Sequence, residues 1–533
     1  MRTRALCRAF ALVALVLVAW GPAAEAKKFR WSSQGDYQSA DPHAVNDGLG
    51  NSINGMVYEP LVMRGRNLEL IPALAVAWRQ TSSTSWQFEL RKGVRFHDGT
   101  PFTAEDVVFS VKRAQGSTSG FRGFAIALGE PRIVEGHTIE FTTSAPNPIL
   151  PDHASAIMIM SRTWAQRHNA LRSQDFANKE ESFTSRNAVG TGPYRLISRE
   201  PDVQSVFARN PTWWGLADRA YWDGNVEEFA YVPIKRDTTR TAALLSGEID
   251  FVLDPPVQDL ERLKQNPTIK VIEAPESRLV FLGMDQHRNE LPHSSVKGRN
   301  PFKDRRVRQA LYQAIDVHAI GRSVMRGSSV PTGILLPNPE AAGMPKDLER
   351  RYPHDVQAAR KLLAEAGYPD GFEVALDCPN NRYINDEKIC LAISAMLSRV
   401  GIRAQVNAIP RTLFLPKLLK LELSLYLSGW GTASPDAMLT LQHVVRGRTA
   451  EGDGEFNAGN YSDPELDALI DAAKTEMDPL RRIELMAGAL RRHHEMVYHI
   501  PLHRQTIAWA MRSDVSAVQR ANNALQVMWV KLR

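Results

Sequence analysis

Two short stretches of the chain carry the residue types that catalysis or metal binding would need. "VRFHDGTPFTAEDVVFS" (94–110) sets His97 and Asp98 beside Gly99 and two further acids, Glu105 and Asp106. "HHEMVYHIPLH" (493–503) holds four histidines. A zinc hydrolase of the H-E-x-x-H type needs histidines at i and i+4, so that both rings leave one helix face. Here Tyr498 stands at i+4 from His494. His499, at i+5, lies about 140° further around a helix. The rings diverge and Pro501 ends the helix, which leaves His493, His494, His499 and His503 as helix-end residues, with a bound-metal role as the weaker reading. Other signatures are incomplete. Ser294-Ser295-Val296-Lys297 fits S-x-x-K, but no S-D-N or K-T-G follows. "GTGPYR" (190–195) lacks the third Gly of a dinucleotide loop, and Pro193 would break the helix that loop requires. No G-x-S-x-G occurs. The expectation is no catalytic residue, no bound metal and no cofactor.

The elements around the first stretch give its acids a structural task. Trp86, Phe88 and Leu90 alternate with polar residues, the period of a half-buried strand, and Val94 and Phe96 extend the pattern. Asp98-Gly99 is a turn. Thr103 and Asp106 have the spacing of a capping box, and Val107, Val108 and Val111 give the following helix its apolar face. In the second half, one amphipathic helix is expected over 304–320, with Val307, Leu311, Ala314, Ile315 and His318 on one face. Helices are expected from Asp355 to Gly367, up to Gly401, from Ser462, and from Asp478-Pro479. They alternate with the strands "FEVALDC" and "IRAQVNAI", which predicts an α/β half with a largely parallel sheet.

The chain has 533 residues, too many for one ordinary core, so two lobes are expected. Arg2, Arg4 and Arg8, the apolar run Ala9 to Trp20 and the Ala24-Glu25-Ala26 site read as a secretory signal peptide over 1–26. Its removal takes the formal charge of +6 down by two. The remaining basic residues are scattered among acids, which points away from nucleic acid. Cys378 and Cys390 survive cleavage, and an oxidising compartment favours a disulfide between them.

A long series of motifs then converges. "YEPLV", "LIPALAVAW", "WQFELRKGVRFHDGTPFTAEDVVFSVKR", "GTGPYRL", "NPTWWG" and "ALLSGEIDFV" run through the first half. "NPFKDRRVRQALYQAID", "ARKLLAEAGYPDGF", "SGWG", "NAGNYSDPELDALI" and "IPLH" follow in the second. In this order they resemble the bacterial family 5 extracellular solute-binding proteins, the peptide/nickel-type periplasmic receptors of ABC importers. The resemblance implies an α/β, two-lobed periplasmic-binding-protein-like fold of type II, with an extra sub-domain and a hinged ligand cleft. It places lobe I at 27–275, with the sub-domain at 61–185, lobe II at 276–499, and a return to lobe I at 500–533. The chain would cross the hinge near 276–285 and 497–503. The implied partners are a short peptide or other small solute and the permease–ATPase complex of an ABC importer. The implied location is the periplasm, and the implied state a monomer that makes and breaks no bond.

Three positions carry over residue by residue. Arg382, in "CPNNRYINDE", matches the arginine that pairs with a ligand carboxylate, a role a guanidinium fork suits. A surface salt bridge is its plainer role. Trp430, in "SGWGTASPDA", matches the aromatic that lines the cleft. Three residues on, peptide-binding members carry an Asp for the ligand ammonium, and here Ala433 stands instead. Asp436 or Asp47 would have to replace it, or the ligand has no ammonium there. That keeps open a metal chelate, a glutathione-like compound or another non-peptide ligand. A secreted hydrolase is the remaining alternative. Asn381 and Tyr383 flank Arg382, and a Cys378–Cys390 disulfide would close and pre-organise this loop.

Overall fold

The computed structural model describes residues 27–432 and 434–533. The expected signal peptide and Ala433 lie outside the described residues.

One continuous sheet of 11 strands runs through the molecule. From one edge its order is Ile402–Ile409, Phe372–Pro379, Leu425–Gly431, Ile269–Met284, His499–Arg512, Phe251–Leu253, Lys28–Ser32, Glu228–Tyr231, Gln204–Arg209 and Tyr194–Glu200, with Ser329–Pro331 paired beside His499–Arg512. The two longest strands, Ile269–Met284 and His499–Arg512, lie antiparallel at its middle. Their ladder breaks register between Pro275 and Leu279 and again between Val280 and Phe281. Such irregularities bend a strand and locally weaken its pairing. The second half is therefore mixed rather than largely parallel. Phe372–Pro379 pairs in parallel with Ile402–Ile409 and Leu425–Gly431, but the long central strands run antiparallel.

Apolar side chains gather on either side of this seam. Trp31, Tyr194, Phe229, Tyr231 and Trp509 form one cluster, and Leu376, Ile389, Ile393 and Leu427 form another. A third joins Phe88, Val107 and Phe141 to Leu441, Ile470 and Leu490. Phe88 and Phe141 come from a separate four-stranded antiparallel sheet, Ala75–Ser82, Ser85–Leu90, Thr138–Thr142 and Glu130–Glu135. This small sheet thus shares one apolar cluster with the helices Pro464–Thr475 and Pro479–Met496, and the helix Ala104–Ala114 packs on it directly.

The opening stretch is held as local structure. The strand ends at Leu90, and Gly93 and Gly99 take φ of 77° and 86°, which tolerate a residue without Cβ. Val94 and Phe96 are buried but flank an isolated antiparallel bridge, Arg95 with Pro101, rather than extending the strand. Asp106 Oδ2 accepts from the Thr103 N–H at 2.8 Å and from its hydroxyl at 3.0 Å, opening the helix Ala104–Ala114. The His97 ring reaches the Gly192 carbonyl at 3.0 Å, and burial pulls its pKa down to about 4. His97 thus ties the turn to the "GTGPYR" segment as a neutral ring.

Two boundaries differ from the sequence reading. The stretch 304–320 is two helices, Arg305–Ala314 and Val317–Ser323, because Ile315 is extended and Asp316 caps a new start. The break turns His318 out to solvent. The helix Pro464–Thr475 is capped by Asp463, not Ser462, whose hydroxyl instead donates to Asp467.

Candidate functional site

A cavity of about 900 Å3 opens between the two halves of the large sheet, and both halves line it. Asp47, Gly48, Arg64 and Arg520 come from one side, and Arg278, Arg382, Tyr383, Trp430 and Phe456 from the other.

Asp47 caps the helix Gly48–Asn54, its Oδ2 accepting from the Gly50 N–H at 3.0 Å. Arg382 Nη2 approaches Asp47 Oδ1 to 3.3 Å, and Arg411 contacts Asp47 Oδ2. Burial works against this carboxylate, but Arg411 and Arg382 outweigh it and hold its pKa below the usual value. One acid therefore faces two guanidiniums carried by the opposite half of the molecule.

Arg382 and Tyr383 sit between the strand Phe372–Pro379 and the helix Asp386–Ser398. The Asp386 carboxyl fixes this turn by accepting from their backbone N–H groups at 2.9 and 3.0 Å. Tyr383 Oη donates to the Gly429 carbonyl at 3.2 Å and accepts from the Gly429 N–H at 2.8 Å. A Cβ at Gly429 would come within 2.8 Å of the tyrosine ring, so the "SGWG" strand needs glycine there. Asn381 lies behind the turn, its side chain accepting from the Arg411 N–H at 2.8 Å. Cys378 and Cys390 are paired across Cα atoms 6.7 Å apart, tying the strand to the helix on either side of the turn.

Trp430 lies on the strand Leu425–Gly431, with its ring 5.3 Å from that of Phe456. Its indole Nε1 has no hydrogen-bond partner among the described residues. Asp436 is engaged elsewhere. Arg482 grips both of its oxygens, at 2.5 and 2.9 Å, and Asp436 is absent from the cavity lining. Of the two acids considered as substitutes at the Ala433 position, Asp47 thus carries two arginines and Asp436 one.

Several lining groups escaped sequence reasoning. Glu455 reaches the cavity with its Oε1 unpartnered among the described residues, and burial lifts its pKa to about 8. Glu59 accepts from the indoles of Trp213 and Trp214 at 3.0 Å each, and burial raises it to about 7. Arg278 is paired with Glu276 at 2.7 Å. The Trp pair of "NPTWWG" was the one local sign for Glu59; Arg278, Glu455 and Arg520 have none.

His493, His499 and His503 are buried at the sheet, and the half-buried His494 stacks on Tyr352 and reaches the Gly333 carbonyl. His493 Nε2 lies 2.9 Å from His499 Nδ1, and burial pulls His499 and His503 down to about 3 and 4. Among the described residues no group of three His, Cys, Asp or Glu is placed to hold a metal ion. Nor is any helix among them long and apolar enough to cross a membrane.

A large, two-sided cavity lined by arginines and aromatics, at the seam of two packed halves, is the architecture of a solute receptor. Residues 69–451 match the bacterial extracellular solute-binding proteins, family 5 Middle, and the chain belongs to that family. It is 25% identical over 460 residues to the glutathione-binding protein GsiB of Pectobacterium atrosepticum, covering 82% of this chain and 81% of that one. It is 26% identical over 481 residues to heme-binding protein A of Haemophilus influenzae, covering 85% and 82%. The fold matches the periplasmic binding protein DppA of Helicobacter pylori in complex with the peptide STSA, with a TM-score of 0.82 at 23% identity over 95% of this chain and 98% of that one. The molecule therefore has the two-lobed, mixed α/β fold of the type II periplasmic binding proteins.

Proposed function

We propose that this chain captures a small peptide or peptide-like solute between its lobes and hands it, chemically intact, to the permease–ATPase complex of an ABC importer. The cavity lined from both halves carries this reading. A ligand that touches both lobes binds the closed form more tightly than the open one, and this difference drives closure. Lobe I would comprise 27–275 and the return 500–533, and lobe II 276–499, with the bend at the register breaks of the central strands. Trp430 would wall the ligand, and Arg382, with Tyr383 beside it, would face a ligand carboxylate. Residues 1–26 would be removed on export to the periplasm.

One observation favours a non-peptide or blocked-amine ligand as a second reading. Asp47 and Asp436 are both held by arginines, so neither is free for an ammonium. Metal chelates, whose amine is held by the metal, belong to this second reading, and a glutathione-like compound does so with its ammonium placed away from these two acids.

The test is a thermal-shift and scattering screen of the mature protein with short peptides, their N-acetylated forms, glutathione and metal–histidine chelates. A binder present at 100 times its Kd adds about 2.7 kcal/mol to stability and compacts the particle. Recovery of the solute unchanged is expected. Conversion of the solute to product, or compaction by none of them, would sink the proposal.

A further inference from the structure

Six arginines line the cavity: Arg64, Arg122, Arg278, Arg382, Arg448 and Arg520. Three have a carboxylate at hand. Arg64 meets Asp152 at 2.5 Å, Arg278 meets Glu276 at 2.7 Å, and Arg382 meets Asp47 at 3.3 Å. The other three have no carboxylate oxygen within 4.0 Å among the described residues. Arg122 and Arg448 are partly open to water and donate to the Ala450 and Glu455 carbonyls. Arg520 differs from both, being only 4% exposed. Its Nη2 donates to the Arg64 carbonyl at 3.1 Å, its guanidinium lies 5.6 Å from the Trp529 ring centroid, and its Nε has no partner among the described residues.

A guanidinium remains charged in a protein. Burial, with Arg64 close by, lowers Arg520 only to about 10, so it is a cation at neutral pH. The charges that bear on it are Arg64, which repels, and Glu69, which attracts weakly. A buried charge without a counter-ion is costly, and a protein that keeps one at a binding cavity gains by it when an anion arrives. The contacts of Arg520 (Arg64, Trp529) share nothing with those of Arg382 (Asp47, Tyr383).

We infer that Arg520 is an oxyanion receptor in the first-lobe wall of the cleft, and that the solute carries an acid group there in addition to the one facing Arg382. The ligand class is then a solute with at least two acid groups, such as an acidic peptide or a polycarboxylate. This rests on the solute-receptor reading and narrows it. Among the lining acids, Asp47 and Asp152 are already taken by arginines and Asp453 by Lys474, so none of these three serves Arg520.

The test uses matched solutes that differ by one acid group, Ala-Glu-Ala against Ala-Gln-Ala and glutarate against glutaramate, with citrate as the most highly charged probe. Affinities are measured by calorimetry on mature wild type, Arg520→Met, Arg520→Lys and Arg382→Ala, each unfolded and refolded beforehand to strip bound solutes. Wild type should prefer the acid-bearing member of a pair at least tenfold. Arg520→Met should erase that preference, Arg520→Lys should keep most of it and serve as the folding control, and Arg382→Ala should weaken both members alike. Equal binding of acid and amide by wild type, or a preference that survives in Arg520→Met, overturns the assignment while leaving the receptor reading intact. So does wild type that takes only neutral or cationic solutes. If wild type binds none of these probes and none of the broader screen, the receptor reading falls and this one falls with it.

Discussion

Glu455 and Glu59 bring carboxyl groups to the cavity wall without a close cation of their own. For Glu455 the nearest ring is His443 Nδ1 at 3.5 Å, and burial pulls that imidazole well below its usual pKa, so it offers no positive charge. Arg448 and Arg122 act only at longer range, Asp453 opposes them, and burial wins, leaving Glu455 near 8. A carboxyl raised in the folded state binds its proton more tightly there than in the unfolded chain. Its stabilising effect is complete below the unfolded value of 4.5 and is lost as pH rises through about 8. Glu455→Gln should therefore gain on wild type as pH rises from 5 to 8.5, by several kcal/mol in all at about 1.4 kcal/mol for each unit of the raised pKa. Urea melts across this range check it, and an unchanged slope would mean that the carboxyl is ionised throughout.

At the scale of elements, the turn between the strand Phe372–Pro379 and the helix Asp386–Ser398 presents Arg382 and Tyr383 from fixed ends. The Cys378–Cys390 pair closes that turn, and Asp386 bonds it from within. A cross-link over a loop this short contributes about 3 kcal/mol through the entropy of the unfolded chain. Cys378→Ser, or reduction, should lower stability by about that amount. It should also weaken solute binding several-fold, because the turn must then be ordered on binding. Calorimetry on oxidised and reduced protein decides between these effects. A loss of stability with unchanged affinity would confine the pair to a packing role.

At the scale of the whole molecule, Asp47 is the acid that joins the halves across the cavity. Arg382 and Arg411 converge on it from the far end of the sheet, and Ser434 Oγ on that side likewise donates to Asp152 at 2.6 Å. Stacking of Phe124 on His443, 3.9 Å between ring centroids, adds an apolar contact. Asp47→Asn keeps the helix cap, since Asn caps as well as Asp. It leaves two guanidiniums facing each other without an anion. The expected result is a shift toward the open form, seen in solution scattering as a larger radius of gyration that solute or high salt reverses. An unchanged curve would show that Asp47 has no part in closure.

What the chain decides locally was legible in its order of residues. The alternation around Phe88, the Thr103–Asp106 spacing and the Asp355 cap act over a few residues, so strand, turn and helix starts could be read directly, as could the motif series that marks the family. Breaks such as Ile315 were not, because an amphipathic period continues smoothly through a residue that the tertiary packing makes extended. Of the cavity lining, local motifs marked Arg382 and Tyr383 in one turn and Trp430 in the "SGWG" strand. That Asp47 meets Arg382 and Arg411, that Asp436 is claimed by Arg482, and that Arg520 has no carboxylate oxygen within 4.0 Å among the described residues depend on residues dozens to hundreds of positions apart. Charge pairing in a buried cleft is set by distances in space, and only the folded sheet, with its two long central strands, fixes those distances.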